Sequence, residues 1–442
     1  MEIKIDEVAS FLSELIKVNT SNPPGNETPA AKLVAEKLSE YGIEAQVLES
    51  EPNRGNVVAA IDSGEPGPTL LLLSHLDVVP ADPKEWSVDP FSGLIKDGFV
   101  WGRGALDCKG AAVMELYAFI KIVQEKKFKG KIIYASTADE ETGGEKGAKW
   151  LVESKPDLVK AEYVINEGGG YAIPVKGKPV FTVQTAEKGV YWFKLKFKGK
   201  PGHGSMPGTG DNAIVKTAQA AKRISEWKAP IVPTKHTEVF LKNLMKALGK
   251  PYLANFLLSP VLGGLFLRGI REKSQRAFIE AMLRNTFAPT IVRGGYKENI
   301  IPSECELVVD CRLLPGFDET WVKETLKNII GDIEYELSFI KREPATESPI
   351  DTPLFKAIEK TLAKEFPGAL VSAYMVPGGT DSRFFRRKFK SVAYGYIPMI
   401  PSLPFEEIAK MVHGIDEKIP VEVLEKGVDL LYKTLVEFYS LV

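Results

Sequence analysis

Between Ile5 and Val18 the apolar residues Val8, Phe11, Leu12, Leu15 and Ile16 recur at helical spacing, which predicts a helix with one buried face. Pro29 to Tyr41 repeats the pattern. Glu44–Leu48, Asn56–Ile61 and Thr69–Ser74 then read as strands, followed by a helix over Gly110–Glu125. Lys131–Thr137 reads as a strand, Glu145–Ser154 as a helix and Tyr163–Ile165 as a strand. Several of these strands are apolar on both faces, as in a sheet covered by helices on either side.

The pattern changes after Thr185. "GVYWFKLKFKGKPG" and "IIPSECELVVDCRLLP" alternate apolar with polar residues, the period of half-exposed strands. Asp211–Trp227 and Asp318–Ile330 read as helices, and Pro230–Thr290 as mostly helical. The α/β pattern returns from Leu354 and ends in a helix over Val421–Tyr439. The chain therefore reads as an α/β domain in two pieces, 1–185 and 346–442. An α+β domain, 186–345, is inserted between them and carries a helical extension at about 230–290. Burial within the inserted domain is the default expectation for that extension, with an acyl-pocket wall or a subunit contact as alternatives.

Composition narrows the function classes. A chain of 442 residues with net charge -1 and no basic block carries no nucleic-acid footprint. Its three cysteines, Cys108, Cys305 and Cys311, form no disulfide framework, which points to a reducing, cytoplasmic setting. The N-terminal segment is amphipathic and mixed in charge, unlike a signal peptide, and no apolar run is long enough to span a membrane. Five glutamines against many lysines and glutamates lean toward a thermophilic source.

The candidate chemistry lies at strand ends. "LLLLSHLDVVP" delivers His75 and Asp77 directly after an apolar run. Asp107 lies in "WGRGALDCKG", Glu140 and Glu141 follow "KIIYASTAD", and Glu167 follows "AEYVIN". In open α/β sheets such positions converge at the carboxyl edge. Converging carboxylates repel one another, and a cation relieves that repulsion. One imidazole with several carboxylates suits Zn²⁺, Co²⁺ or Mn²⁺. Asp77 is placed to accept the second ring N–H of His75. Each short motif is common in isolation; the weight lies in their order and joint placement.

Together, "SHLDVVP", "WGRGALDCKG", "ADEETGG", "NEGGG", "PGHGSMP", "NIIPSECELVVDCRLLPG", "GGTDSR" and "HGIDE" resemble, in order, the di-zinc metallopeptidase family. That family includes aminoacylase, acetylornithine deacetylase, succinyl-diaminopimelate desuccinylase and glutamate carboxypeptidase. The resemblance implies a mixed-sheet zinc-peptidase domain of α/β/α layers with an inserted lid or dimerisation domain. It implies that Asp107 bridges two metals, that His75 and Glu167 complete one site, and that Glu141 and His413 complete the other. Asp77 would orient His75, Glu140 would act as general base, and a cis peptide would follow Asp107. His203, of "PGHGSMP", would polarise the scissile carbonyl, from a partner subunit or after lid closure. Arg383, Gly379 and Thr380 of "GGTDSR", with Asn299, would hold the substrate's free carboxylate. A structural salt bridge from Asp381 to Arg383 or another base is the alternative, and Arg312 reads as structural. His236, outside every motif, reads as a surface residue.

The helical extension and "RNTFAPTIVRGGYKENIIP" look most like the carboxypeptidase S and N-fatty-acyl-amino acid hydrolase branch. The expected function is hydrolysis of an amide beside a free amino-acid carboxylate, in a short peptide or N-acyl-amino acid. The expected cofactor is two Zn²⁺ ions, with Co²⁺ or Mn²⁺ as substitutes. A homodimer through the lid is possible in such a fold, whereas nucleic-acid and membrane partners are not expected. A biosynthetic deacylase for acetylornithine or succinyl-diaminopimelate is the alternative, and a non-catalytic binding protein on the same fold is the remote one.

Overall fold

The structure is a computed structural model that describes residues 5–442. Its centre is a ten-stranded mixed sheet. Lys131–Thr137, Thr69–His75, Tyr163–Asn166 and Val392–Gly395 run parallel as neighbours. Gly55–Asp62 and Gln46–Glu49 extend one edge in antiparallel fashion. Lys178–Glu187 extends the other side and pairs in parallel with Leu370–Val376. Leu70 to Leu73 are fully buried, alternately on the two faces of the sheet. One face is covered by the helices Ile5–Lys17, Thr28–Glu40, Lys109–Gln124, Pro353–Glu365 and Val421–Leu441. The other carries Ala148–Ser154 and Ser382–Phe389. This is the expected α/β layering.

A second, five-stranded sheet contains Phe193–Lys198, Glu304–Leu313 and Thr286–Gly294. Its core alternates along Phe193, Leu195 and Phe197 and packs under the helices Ala213–Glu226 and Glu319–Ile330. Two antiparallel crossings join the sheets: Thr346 pairs with Glu187, and Glu343 with Val190.

The helical extension differs from the sequence reading. Its helices, beginning with Lys235–Ala247, pack on Tyr374 and Val376 of the ten-stranded sheet rather than within the second sheet's core. The strand Thr286–Gly294 also starts inside the stretch read as helical. His236 is buried, not exposed. Its Nδ1 lies 2.7 Å from Thr185 Oγ1, and its Nε2 lies 3.1 Å from Glu347 Oε2. An apolar helix face states that something covers it, but not which sheet.

Candidate active site

Five of the six metal-site and base positions sit just past strands or before a helix on one edge of the large sheet. His75 ends Thr69–His75, and Glu167 follows Tyr163–Asn166. Glu140 and Glu141 form a 3-10 turn after Lys131–Thr137, and Asp107 precedes the helix Lys109–Gln124. His413 arrives from the C-terminal segment in a left-handed conformation, φ 58°, that is unfavourable for a non-glycine residue. The peptide between Asp107 and Cys108 is cis.

These side chains meet. His75 Nε2 lies 3.2 Å from Asp107 Oδ1, and His413 Nε2 lies 3.2 Å from both Asp107 Oδ2 and Glu141 Oε2. Asp107 thus presents one oxygen to each imidazole. Ligand atoms of Asp107, Glu141 and His413 cluster, as do those of His75, Glu140 and Glu167. The adjacent Glu140 and Glu141 therefore face different groups. Burial, with Glu167 beside it, pushes Glu140 well above the usual carboxylate range. Burial and the neighbouring Asp107 push Glu167 up to about 8. Hydrogen bonds to Asp107 and Glu141 raise His413 to about 10. Glu141 Oε1 is buried without a partner. Carboxylates crowded in this way, with an orphaned oxygen among them, fit a pair of hard-to-borderline divalent cations. Cys108 shares the cluster, and burial pushes its thiol up to about 12.

Asp77 does more than the sequence suggests. The His75 Nδ1 sits 3.0 Å from the Asp77 carbonyl oxygen and 3.5 Å from its carboxylate. The carboxylate itself accepts from the Glu140 N–H at 3.0 Å, the Glu141 N–H at 3.1 Å and Asn22 Nδ2 at 2.8 Å. It therefore anchors the turn that bears both glutamates. Behind it, Arg54 bonds Glu27 and Asp139 at 2.8 Å each.

Other expectations are met differently. Arg383 is buried. Its guanidinium donates to the Thr380 carbonyl at 2.5 Å and the Gly143 carbonyl at 2.9 Å. It lies 3.2 Å from Glu343 and 3.8 Å from Glu140. The expectation of a fork open to a substrate carboxylate is not met in this arrangement, because carbonyls and Glu343 occupy it. Nor does Arg383 pair with Asp381, which instead accepts from Thr137 Oγ1 at 3.1 Å. Thr380 donates its N–H to Glu187 at 2.6 Å, and Gly379 lies beside Arg383. His203 and Asn299 are neighbours: His203 pairs with Ile300, and the Gly204 N–H reaches the Asn299 carbonyl at 2.8 Å. Both are exposed on the second sheet's side, and the partner of His203 Nδ1 is Ser205 Oγ at 2.9 Å, not the acid cluster. Arg312 pairs with Asp310 at 2.6 Å.

One supporting residue escapes the sequence reading. Glu417 is fully buried and accepts from the backbone N–H of Leu106 at 2.7 Å, Asp107 at 3.0 Å and Gly104 at 3.1 Å, and from Arg103 at 2.8 Å. It fixes the loop that aims Asp107. Its signal is its place as the last residue of "HGIDE".

A mixed sheet that gathers imidazoles and carboxylates at one edge is the arrangement of a divalent-metal site. The sequence profile of Peptidase family M20/M25/M40 matches residues 71–437, and the chain belongs to that family. The N-fatty-acyl-amino acid synthase/hydrolase PM20D1 of Xenopus tropicalis is 32% identical over 381 residues, covering 84% of this chain and 70% of that protein. A probable carboxypeptidase S-like 2 of Dictyostelium discoideum is 29% identical over 385 residues, with 84% and 70% covered. Among solved structures, an M20 family metallo-carboxypeptidase, Sso-CP2 from Sulfolobus solfataricus, superposes with TM-score 0.75 at 21% identity. That likeness covers 98% of this chain and 100% of the other, and at this identity it speaks for the fold. The chain is thus an enzyme that hydrolyses amide bonds with bound metal.

Proposed function

We propose that the protein cleaves the amide of N-acyl-amino acids or short peptides on the N-terminal side of a residue with a free carboxylate. The observation that carries this reading is the convergence of His75, Asp107, Glu140, Glu141, Glu167 and His413 at one sheet edge. The similarity to a hydrolase of N-fatty-acyl-amino acids and to a carboxypeptidase S-like protein supports the substrate class. Asp107 would be shared between two metals, with His75 and Glu167 on one side and Glu141 and His413 on the other. Zinc is the ion favoured by this nitrogen and oxygen set.

Bound metal supplies Lewis-acid polarisation of the carbonyl and activation of water. Glu140, whose burial gives it a raised proton affinity, takes the proton of the attacking water and returns it to the departing nitrogen. Arg383, 3.8 Å away, faces that carboxylate with its positive charge. His203, in the small two-stranded sheet Gly202–His203/Ile300–Ile301, and the adjoining Asn299 would meet the substrate on closure of the inserted domain or from a second subunit. We assign the domain boundaries to the two crossings near Glu187 and Thr346.

Amine release from N-acyl-amino acids and dipeptides, each with a carboxyl-amidated counterpart, tests the reading. Metal-dependent cleavage confined to free carboxylates is expected. Equal cleavage of the amidated forms would refute the substrate class while leaving the metal chemistry intact.

A further inference from the structure

The helices Tyr252–Leu257 and Gly263–Arg268 form a hairpin at the outer end of the helical extension. Ala254, Leu257, Leu258 and Leu267 are buried in the cluster that seats it on the large sheet. The opposite side carries Tyr252, Phe256, Val261, Leu262, Leu265 and Phe266, all exposed. Val261 is 84% exposed and Leu265 62%, so core packing does not explain them. The Phe256 and Phe266 rings stack at 4.8 Å, which welds the two helices into one apolar tip. No charged side chain occurs between Tyr252 and Leu267. A contiguous patch of this kind marks a contact surface.

Charge identifies the partner. Lys246 and Lys250 precede the tip, and Arg268, Arg271 and Lys273 follow it, all exposed and none in an ion pair among the described residues. The only acid between Lys246 and Arg276 is Glu272, whose carboxylate caps the next helix through the Ser274 N–H at 3.2 Å. An apolar, partly aromatic tip flanked along the chain by exposed cations matches the apolar zone and headgroups of an anionic bilayer surface. A symmetric contact between two copies would instead set the two basic collars against each other.

We propose that this hairpin is a peripheral docking element for anionic lipid surfaces, inserting its tip while the collar contacts the headgroups. No helix of the described residues is long and apolar enough to cross a membrane, so the contact is interfacial. The hairpin leads into Glu272, which lies within electrostatic reach of Lys410, three residues before His413.

Sedimentation of the full chain with vesicles of phosphatidylcholine alone, or mixed with phosphatidylserine, tests the proposal. Binding to the mixed vesicles that weakens with salt is expected. The variant V261D/L265D should lower the partition coefficient at least about a hundredfold. K250Q/R268Q should lower it about fivefold per cation. Both pairs are exposed, so the unfolding midpoint should stay unchanged, which separates lost docking from lost folding. Absent binding to phosphatidylserine vesicles, or equal binding to phosphatidylcholine alone, would overturn the proposal. So would a wild-type dimer in sedimentation velocity that V261D/L265D converts to monomer without any vesicle binding, because the patch would then be a self-association surface.

Discussion

Replacing Glu417 by glutamine tests how the fold sets the site. The native carboxylate accepts three backbone N–H groups and the Arg103 guanidinium with no exposure to water. In the amide, one oxygen still serves Leu106 and Asp107, but an NH₂ group faces the donors of Gly104 and Arg103. The Gly104 N–H and one N–H of the buried Arg103 guanidinium lose their acceptor, while Arg103 keeps the Gly414 carbonyl at 2.7 Å. An orphaned donor costs about 1–3 kcal/mol, and breaking one side of a buried ion pair about 3–5 kcal/mol. Partial rotation of the amide and access of water reduce the sum, so we expect a loss of about 3 kcal/mol. In a chain of this size that lowers the melting temperature by roughly 3 °C. Because the same donors belong to the Asp107 loop, metal affinity should fall as well. The assay is thermal unfolding followed by circular dichroism, alongside metal titration by calorimetry. A variant with native melting temperature and native metal affinity would refute the claim that Glu417 positions Asp107.

Three other outcomes follow from the same geometry. Arg383→Met should lower kcat roughly 10–100-fold with little change in KM, because it frees Glu140 to move, whereas a tenfold or larger rise in KM with kcat intact would restore Arg383 as the carboxylate binder. Burial lowers the pKa of His236 against the pull of Glu347, so the unfolded chain binds its proton first as pH falls; stability contributed by the neutral form is complete above the unfolded value near 6.5 and declines below it. The fall in melting temperature from about pH 7.5 to about 5.5 should therefore be smaller in His236→Asn, and an unchanged fall would contradict the assignment. Chelation should abolish turnover and also lower the melting temperature, since the acid cluster then keeps its mutual repulsion; a chelated protein with native melting temperature would argue against that repulsion.

The legible parts of this molecule are those that sequence-local physics controls. An apolar run ending in His75 states both a buried strand and a side chain at its edge, and the same holds for Glu140, Glu141 and Glu167. The Asp77 carboxylate is legible as a partner of this site, but its bonds to the turn at Glu140 are not, because turn geometry decides where backbone donors point. Arg383 misleads for a related reason. A guanidinium beside glycines looks available until Glu343, from a distant crossing strand, is placed against it. The apolar runs of Lys178–Glu187 and Leu370–Val376 state strands but not that the two pair in parallel, and with that pairing the surface that receives the helical extension stays hidden. His236 then looks like a polar surface residue, since its burial exists only once that extension docks.

The central claim is that Glu140 performs the proton transfers while its neighbours hold the metals. Its most direct test is Glu140→Gln, with bound metal counted by elemental analysis and amine release measured on the best substrate of the panel. The account predicts two metal ions per chain, as in the wild-type enzyme, and turnover reduced at least about a hundredfold. Native turnover in that variant, or loss of one metal together with activity, would contradict it.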